Sequence, residues 1–254
     1  MSDVVARAAA FFPAAWRRRV ASCGGVVHEA DGLAVCLTGA PSPVFNPTMV
    51  ERPPADPDAA IAAAERHYEG TGFSMGIDLD AELHADVRAA ADRAGLRLVE
   101  SRPAMTVAVP ELPYTPPPDG VELLRVEDPA LLDQVVDVDA AAFGGDAAVI
   151  RRFLPDAVLD DPAQRVYAAR IDGQVVAAGE SALHDAIVGV FGVATIPSAR
   201  RRGIGAALTA FVIADRAADA ELALLDASDL GKGVYERLGF RTVSTWEVWV
   251  RRIE

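Results

Sequence analysis

Apolar runs and amphipathic stretches alternate along the chain, and they fall into two similar series. In the second half, Val121–Val126 reads as a strand and Pro129–Phe143 as an amphipathic helix. A short helical stretch is expected around Ala147–Leu154. Val166–Ile171 and Gln174–Ala182 flank Asp172-Gly173, a dipeptide suited to a two-residue hairpin turn. Ile187–Ala194 is a bounded apolar run, expected to be a buried strand. Gly203–Ala218 carries Ile204, Leu208, Phe211 and Val212 at helical spacing. Leu222–Asp226, Gly231–Leu238 and Thr242–Val250 follow as strand, helix and strand, with Gly239 as the helix stop.

The first half runs in the same order. Val26–Ala30 and Leu33–Leu37 flank Asp31-Gly32. Pro57–Glu69 reads as a helix, Phe73–Leu79 as a strand, Glu82–Ala94 as a helix and Met105–Val109 as a strand. Arg93-Ala94-Gly95-Leu96-Arg97-Leu98-Val99 aligns with Arg237-Leu238-Gly239-Phe240-Arg241-Thr242-Val243 at an offset of 144, and the two Asp-Gly turns align at 141. Two ordered matches at nearly equal offsets point to an internal repeat. Between the halves, Pro110 to Gly120 holds five prolines, which suit neither a helix interior nor a central strand. The expected division is a first domain over 1–110, a stiff linker over 111–120 and a second domain over 121–254.

Composition narrows the function. With 51% hydrophobic and 24% charged residues among 254, the chain is globular in character. It holds 37 acidic against 24 basic side chains, for a net charge of −13. That balance argues against nucleic acid, whose binding rests on neutralised phosphates, and against an anionic membrane surface. Two cysteines, Cys23 and Cys36, do not make a disulfide framework, and no spacing suggests a metal site. The apolar N-terminal stretch has Asp3 before it and Arg17-Arg18-Arg19 after it, the reverse of a secretory signal. The longest uncharged run is short for a membrane span, so a cytoplasmic protein is expected, as a monomer or homodimer.

Within this acidic chain one segment reverses the field. Asp119 to Ala199 carries fourteen acidic and five basic side chains, and Arg200-Arg201-Arg202-Gly203-Ile204-Gly205-Ala206 follows at once. A glycine-rich turn opening a helix presents free N–H groups to one point, where the helix dipole favours an anion. Arginines add forked donors for phosphate oxygens.

Arg200-x-x-Gly203-x-Gly205 resembles the Arg/Gln-x-x-Gly-x-Gly/Ala pyrophosphate signature of the GNAT superfamily of acyl-CoA-dependent N-acyltransferases. Val193-Ala194-Thr195-Ile196-Pro197 before it is similar to the end of that family's central strand. Leu225-Asp226-Ala227-Ser228, then Val234-Tyr235-Glu236-Arg237-Leu238-Gly239-Phe240, resembles a second family segment. The resemblance covers roughly residues 119 to 254, and the repeat suggests a tandem arrangement with the C-terminal half active. It implies an α+β fold: two GNAT-like halves, each a mixed, mostly antiparallel sheet flanked by helices, with a central pair of parallel, splayed strands in the C-terminal half.

The resemblance also implies roles. Acetyl-CoA would be the cosubstrate, with Val193, Ala194 and Thr195 pairing with its pantetheine arm. Arg200, Arg201, Arg202, Gly203, Ile204, Gly205 and Ala206 would hold its pyrophosphate. The Val193/Ala194 N–H region would meet the developing oxyanion, and Tyr235 would serve the leaving thiolate. Ser228 stands where many relatives place an asparagine for the CoA arm. The strand Ile187–Ala194 lacks the glutamate that relatives often carry there, which leaves Glu180, His184, Asp185 and Asp226 as candidate bases, Glu180 first. A weak base favours an amine of low pKa, so an α-amine acceptor, small or peptidic, is expected over a lysine side chain. A non-catalytic acyl-CoA sensor, or a donor with a longer acyl chain, are the competing readings. The first half has Glu51-Arg52-Pro53-Pro54-Ala55-Asp56-Pro57-Asp58 where the cradle would fall. Prolines remove N–H donors and acids repel phosphate, so a structural partner without CoA is expected there.

Overall fold

The computed structural model describes residues 3–251, so the outermost ends of the expected domains, residues 1–2 and 252–254, lie outside it. The first elements are α1 (Asp3–Ser22), β1 (Val26–Ala30), β2 (Leu33–Leu37), β3 (Thr48–Val50), α2 (Pro57–Arg66), β4 (Gly76–Asp80), α3 (Ala85–Arg93) and β5 (Leu96–Ala108). They are followed by β6 (Val121–Val126), α4 (Pro129–Phe143), α5 (Ala147–Phe153), α6 (Ala157–Asp160), β7 (Gln164–Ile171) and β8 (Gln174–His184). Next come β9 (Ile187–Thr195), α7 (Ile204–Ala214), β10 (Leu222–Asp226), α8 (Asp229–Arg237) and β11 (Arg241–Arg251).

Local chemistry explains the boundaries. Asp31-Gly32 and Asp172-Gly173 both take positive φ at both positions, as a two-residue hairpin turn of the primed type requires. Helix α4 starts where the Asp128 carboxylate accepts from the Leu131 N–H at 2.9 Å, with Pro129 in the first turn. It stops at Gly144, whose left-handed φ of 73° closes the last turn. No helix among the described residues is long and apolar enough to cross a membrane.

The chain forms two compact units, Met1–Ala104 with Thr242–Glu254, and Met105–Arg241. The division falls inside β5 and at the start of β11, and the proline-rich segment lies within the second unit. In the first unit β1, β2 and β3 pair antiparallel, β3 and β4 run parallel, and β11 lies antiparallel to β4 from Trp246↔Asp80 to Val250↔Gly76. Its core holds Leu33, Val35, Ile61, Ile77, Leu79 and Leu96. In the second unit β6, β7, β8 and β9 pair antiparallel, and β9 and β10 run parallel. Met105 and Val107 of β5 join its core with Leu225, Leu238 and Phe240, and Val109 donates its N–H to the Glu221 carbonyl at 2.9 Å.

Strand pairing accounts for the division. Each unit takes one strand from the far half of the sequence: β11 closes the first, and the end of β5 enters the second. A strand belongs to the sheet that satisfies its backbone groups and buries its apolar side chains, whatever its place in the chain. The repeat is visible in the pairing. β1-β2-β3-β4 and β7-β8-β9-β10 share the sequence antiparallel, antiparallel, parallel. Gly95 and Gly239, 144 residues apart, follow α3 and α8 with φ of 88° and 87°. The fold is α+β, with mixed sheets flanked by helices.

Candidate functional site

Strands β9 and β10 pair over Leu222↔Ile187, Ala223↔Val188 and Leu224↔Gly189. Strand β9 then runs on to Thr195, and from Val190 onward it has no β10 partner among the described residues. The two strands therefore part. In the free stretch the register with β8 passes from Glu180↔Phe191 to Ala178↔Ala194, so Gly192 and Val193 together face Gly179 alone. This is a β-bulge, which re-aims backbone groups. Gly192 has φ of 56°, and a Cβ built on it would lie 3.2 Å from Glu180 Oε1. Backbone geometry and the adjacent carboxylate both call for glycine at this position.

Beyond β9, Pro197–Ala199 form a short 3-10 turn, and the chain enters α7 through Arg201 at φ of 61° and Gly203 at φ of 81°. A left-handed arginine is uncommon and strained, as binding loops often are. Arg201, Arg202 and Gly203 are exposed, Ile204 is buried and pins the helix start, and Gly205 and Ala206 are half-buried. The first N–H groups of α7 have no acceptor within the helix. Gly205 is not required by the chain itself, since a Cβ there would lie 3.8 Å from Thr195 Oγ1 and 3.9 Å from Val193 Cγ1. Those are ordinary contacts, so the missing side chain leaves room for something else.

The three arginines do not have equal parts. Arg200 Nε donates to the Thr195 carbonyl at 2.9 Å and Nη2 to the Ala142 carbonyl at 3.1 Å. It braces the loop against the end of β9 and the end of α4. Arg201 and Arg202 extend from the surface beside the open N–H groups.

On the other branch of the fork, Ser228 caps α8, its Oγ accepting from the Gly231 N–H at 3.2 Å. Ser228 thus fixes the start of the helix that carries Tyr235. The Tyr235 ring meets Phe240 edge-on at 5.9 Å between centroids and passes over Gly231, whose Cβ position is 2.9 Å from Tyr235 Cε2. No hydrogen bond of the Tyr235 hydroxyl is present among the described residues. Burial, with a smaller contribution from Asp226, pushes its pKa up to about 12. The hydroxyl keeps its proton at any ordinary pH.

Glu180 is buried on β8 beside the bulge. His184 and Asp185 are where the β8–β9 hairpin turns, with Asp185 and Ala186 both at positive φ. They form a turn, at the end of β8 away from the bulge.

Sequence reasoning missed Asp139. It lies on α4, which packs over β8 and β9. Burial first, and the negative charge of Glu180 second, hold its pKa up at about 7. The signal was present in the spacing. Leu132, Val135 and Val136 are the buried stripe of α4, and Asp139 continues it at the next position of the i, i+3, i+4, i+7 pattern. A carboxyl where the period asks for an apolar residue marks a function or a structural polar contact.

The matching place in the first unit is built otherwise. Asp56 caps α2, accepting from the Ala59 N–H at 3.0 Å, and Asp31 Oδ2 accepts from the Ala55 N–H at 3.0 Å. Carboxylates of the chain itself take the donors that an anion would need.

Comparison with known proteins follows the same lines. The acetyltransferase (GNAT) domain model matches residues 162–242. No curated protein matches the chain. Among solved structures, a GCN5-related N-acetyltransferase from Kribbella flavida superposes with a TM-score of 0.74 at 23% identity, covering 94% of this chain and 96% of that one. A GCN5-related N-acetyltransferase from Sphaerobacter thermophilus gives 0.58 at 16% identity, over 76% and 67%. A tandem GNAT protein from the clavulanic acid biosynthesis pathway gives 0.58 at 14% identity, over 77% and 70%. At these identities the likeness is one of fold.

Proposed function

The chain carries an acyltransferase domain of the GNAT family over residues 162–242, and from that premise we propose that it moves the acetyl group of acetyl-CoA directly to a primary amine of a small molecule or peptide. The observation that carries this reading is the parting of β9 from β10 beside a helix start with open N–H groups and two exposed arginines.

Acetyl-CoA supplies a thioester carbonyl. The N–H groups from Arg201 to Ala206, with the Arg201 and Arg202 side chains, take its pyrophosphate, each charge-assisted bond contributing about 1.5–3 kcal/mol. The free β9 backbone at Val193–Thr195 takes the pantetheine arm as an added strand. The Val193/Ala194 N–H region faces the carbonyl oxygen as charge develops. Tyr235 offers a hydroxyl proton to the departing sulfur, and Glu180 stands beside the bulge to receive the proton of the amine.

Magnitudes favour one kind of acceptor. Deprotonating a lysine amine of pKa ~10.4 at pH 7 costs roughly 4.6 kcal/mol, whereas an α-amine near ~7.8 costs about 1 kcal/mol. Thiol release from acetyl-CoA with matched α- and ε-amine acceptors tests the function. Faster release with the α-amine is expected. Binding of acetyl-CoA without release on any amine would leave the sensor reading, and release only from longer acyl-CoAs would change the donor.

Gly205 gives an independent check on the cradle. Gly205→Ala places a methyl group at ordinary van der Waals distance from Thr195 and Val193 and improves helix propensity, so the Tm should hold or rise. Affinity for acetyl-CoA, read by calorimetry, should hold in Gly205→Ala, as the Gly/Ala alternative of the signature expects, and fall at least about tenfold in Gly205→Leu, whose side chain enters the ligand's place. Unchanged affinity in Gly205→Leu would remove Gly205 from the cradle.

A further inference from the structure

Resting on the reading that acetyl-CoA occupies this site, we propose that Phe143 covers the pantetheine arm of the bound donor, and that Arg200 is the positioning residue that holds it there rather than a ligand of the pyrophosphate.

One guanidinium joins two segments that are distant in sequence. Arg200 Nε donates at 2.9 Å to the carbonyl of Thr195, the last residue of β9. Its Nη2 donates at 3.1 Å to the carbonyl of Ala142, in the last turn of α4. A single planar fork spans both carbonyls, so the end of α4 is held beside the end of β9. Phe143 follows Ala142 and is the last residue of α4. It stands four positions after Asp139, so it continues the stripe of Leu132, Val135, Val136 and Asp139 on the side of α4 that packs over β8 and β9. Burial gives out along that stripe, for Leu132 is 0% exposed and Phe143 is 65% exposed. An aromatic ring on the core-facing side of a helix, yet open to water, lacks the surface it would cover. Beside it is the stretch of β9 that has no β10 partner among the described residues.

Continuity with the proposed site names the occupant. The backbone at Val193–Thr195 is where the arm would pair as an added strand, and the open N–H groups for the pyrophosphate begin at Arg201. The arm is the part of acetyl-CoA between these two places. It carries two amides, which suit pairing with a strand, and methylene and methyl groups, which suit an aromatic ring. Burying those groups under Phe143 removes apolar surface of both partners from water. The part given to Arg200 follows from its bonds. Two of its donors are engaged with backbone carbonyls, whereas Arg201 and Arg202 extend from the surface beside the cradle and are left for the phosphates.

Calorimetry with two ligands separates the roles: acetyl-CoA, and 3′-phospho-ADP, which keeps the pyrophosphate and lacks the arm. Phe143→Ala should raise the Kd for acetyl-CoA about five- to tenfold and leave that for 3′-phospho-ADP within about twofold. Its Tm should hold, since the ring is exposed. Arg200→Lys keeps the charge and loses the planar fork, and it should show the same pattern. The double variant should bind acetyl-CoA no more weakly than the weaker single variant, because the brace acts through the ring. An unchanged Kd for acetyl-CoA in Phe143→Ala overturns the cover. Equal losses for the two ligands in Arg200→Lys, no loss for either, or additive losses in the double variant overturn the brace. This pattern of binding without thiol release on any amine would support the proposal and overturn acyl transfer alone. A wild-type chain that does not bind acetyl-CoA overturns both.

Discussion

Tyr235→Phe is expected to lower kcat about 10²-fold while leaving the Kd for acetyl-CoA within a factor of two or so. The size follows from the pKa. A hydroxyl held at about 12 stays protonated, but giving its proton outright to a thiolate of pKa ~8.5 is uphill by about 3.5 units, on the order of 5 kcal/mol. On the proposed mechanism Tyr235 is therefore expected to stabilise the departing sulfur by a charge-assisted hydrogen bond, worth about 1.5–3 kcal/mol, rather than by full proton transfer. That range corresponds to roughly 10- to 150-fold in rate, below the 10⁴ at the top of the general-acid range. The loss should be the same at pH 6 and pH 9. A second variant reaches the hydroxyl without removing it. Gly231→Ala puts a methyl group 2.9 Å from the ring, so the ring must move, and kcat should fall in the same direction. Full turnover in Tyr235→Phe would take the tyrosine out of the chemistry.

The other large effect is on stability, and it falls where chain position would not place it. Trp246→Ala should destabilise the first unit by about 3–5 kcal/mol. Trp246 is 2% exposed, lies opposite Asp80 in the β4 pairing, and stacks at a tilt on Phe12 with 4.3 Å between centroids. Domain stabilities are typically about 5–15 kcal/mol, so the loss is a large share. Hydrogen exchange read by mass spectrometry should show faster exchange in α1 and β4 before any change in β8 and β9. Faster exchange confined to the second unit would contradict the assignment of β11 to the first.

Some of this was legible from residues alone. Val121–Val126, Pro129–Phe143 and Leu222–Asp226 match the observed elements in full, because each has a strong period or a bounded apolar run. The Asp-Gly turns formed as expected, since left-handed φ at two adjacent positions leaves few alternatives. The sequence does not mark helix α1, because Pro13 lies inside it, a residue that ordinarily breaks a helix and here is buried. Nor does it mark the first part of β5, because Leu98 to Glu100 are exposed and Pro103 interrupts the run, so no alternation signals a strand.

The chemistry divided in the same way. Glycines and arginines at the head of α7 are local, so the turn that opens this helix could be read from spacing. Which arginine braces the loop could not, because the Arg200 acceptors include Ala142, far away in sequence. Asp139 and Glu180 are 41 positions apart, and nothing in either segment says that the charge of one raises the pKa of the other.

By itself, the sequence determined most of the elements, the hairpin turns and the glycine-arginine turn that opens α7, since each depends on residues within a turn or two of one another. Tertiary structure decided which half each closing strand completes and how far β9 and β10 stay paired. Those outcomes rest on backbone pairing and burial between distant segments, where free energy depends on which surfaces leave water together and not on their order in the chain.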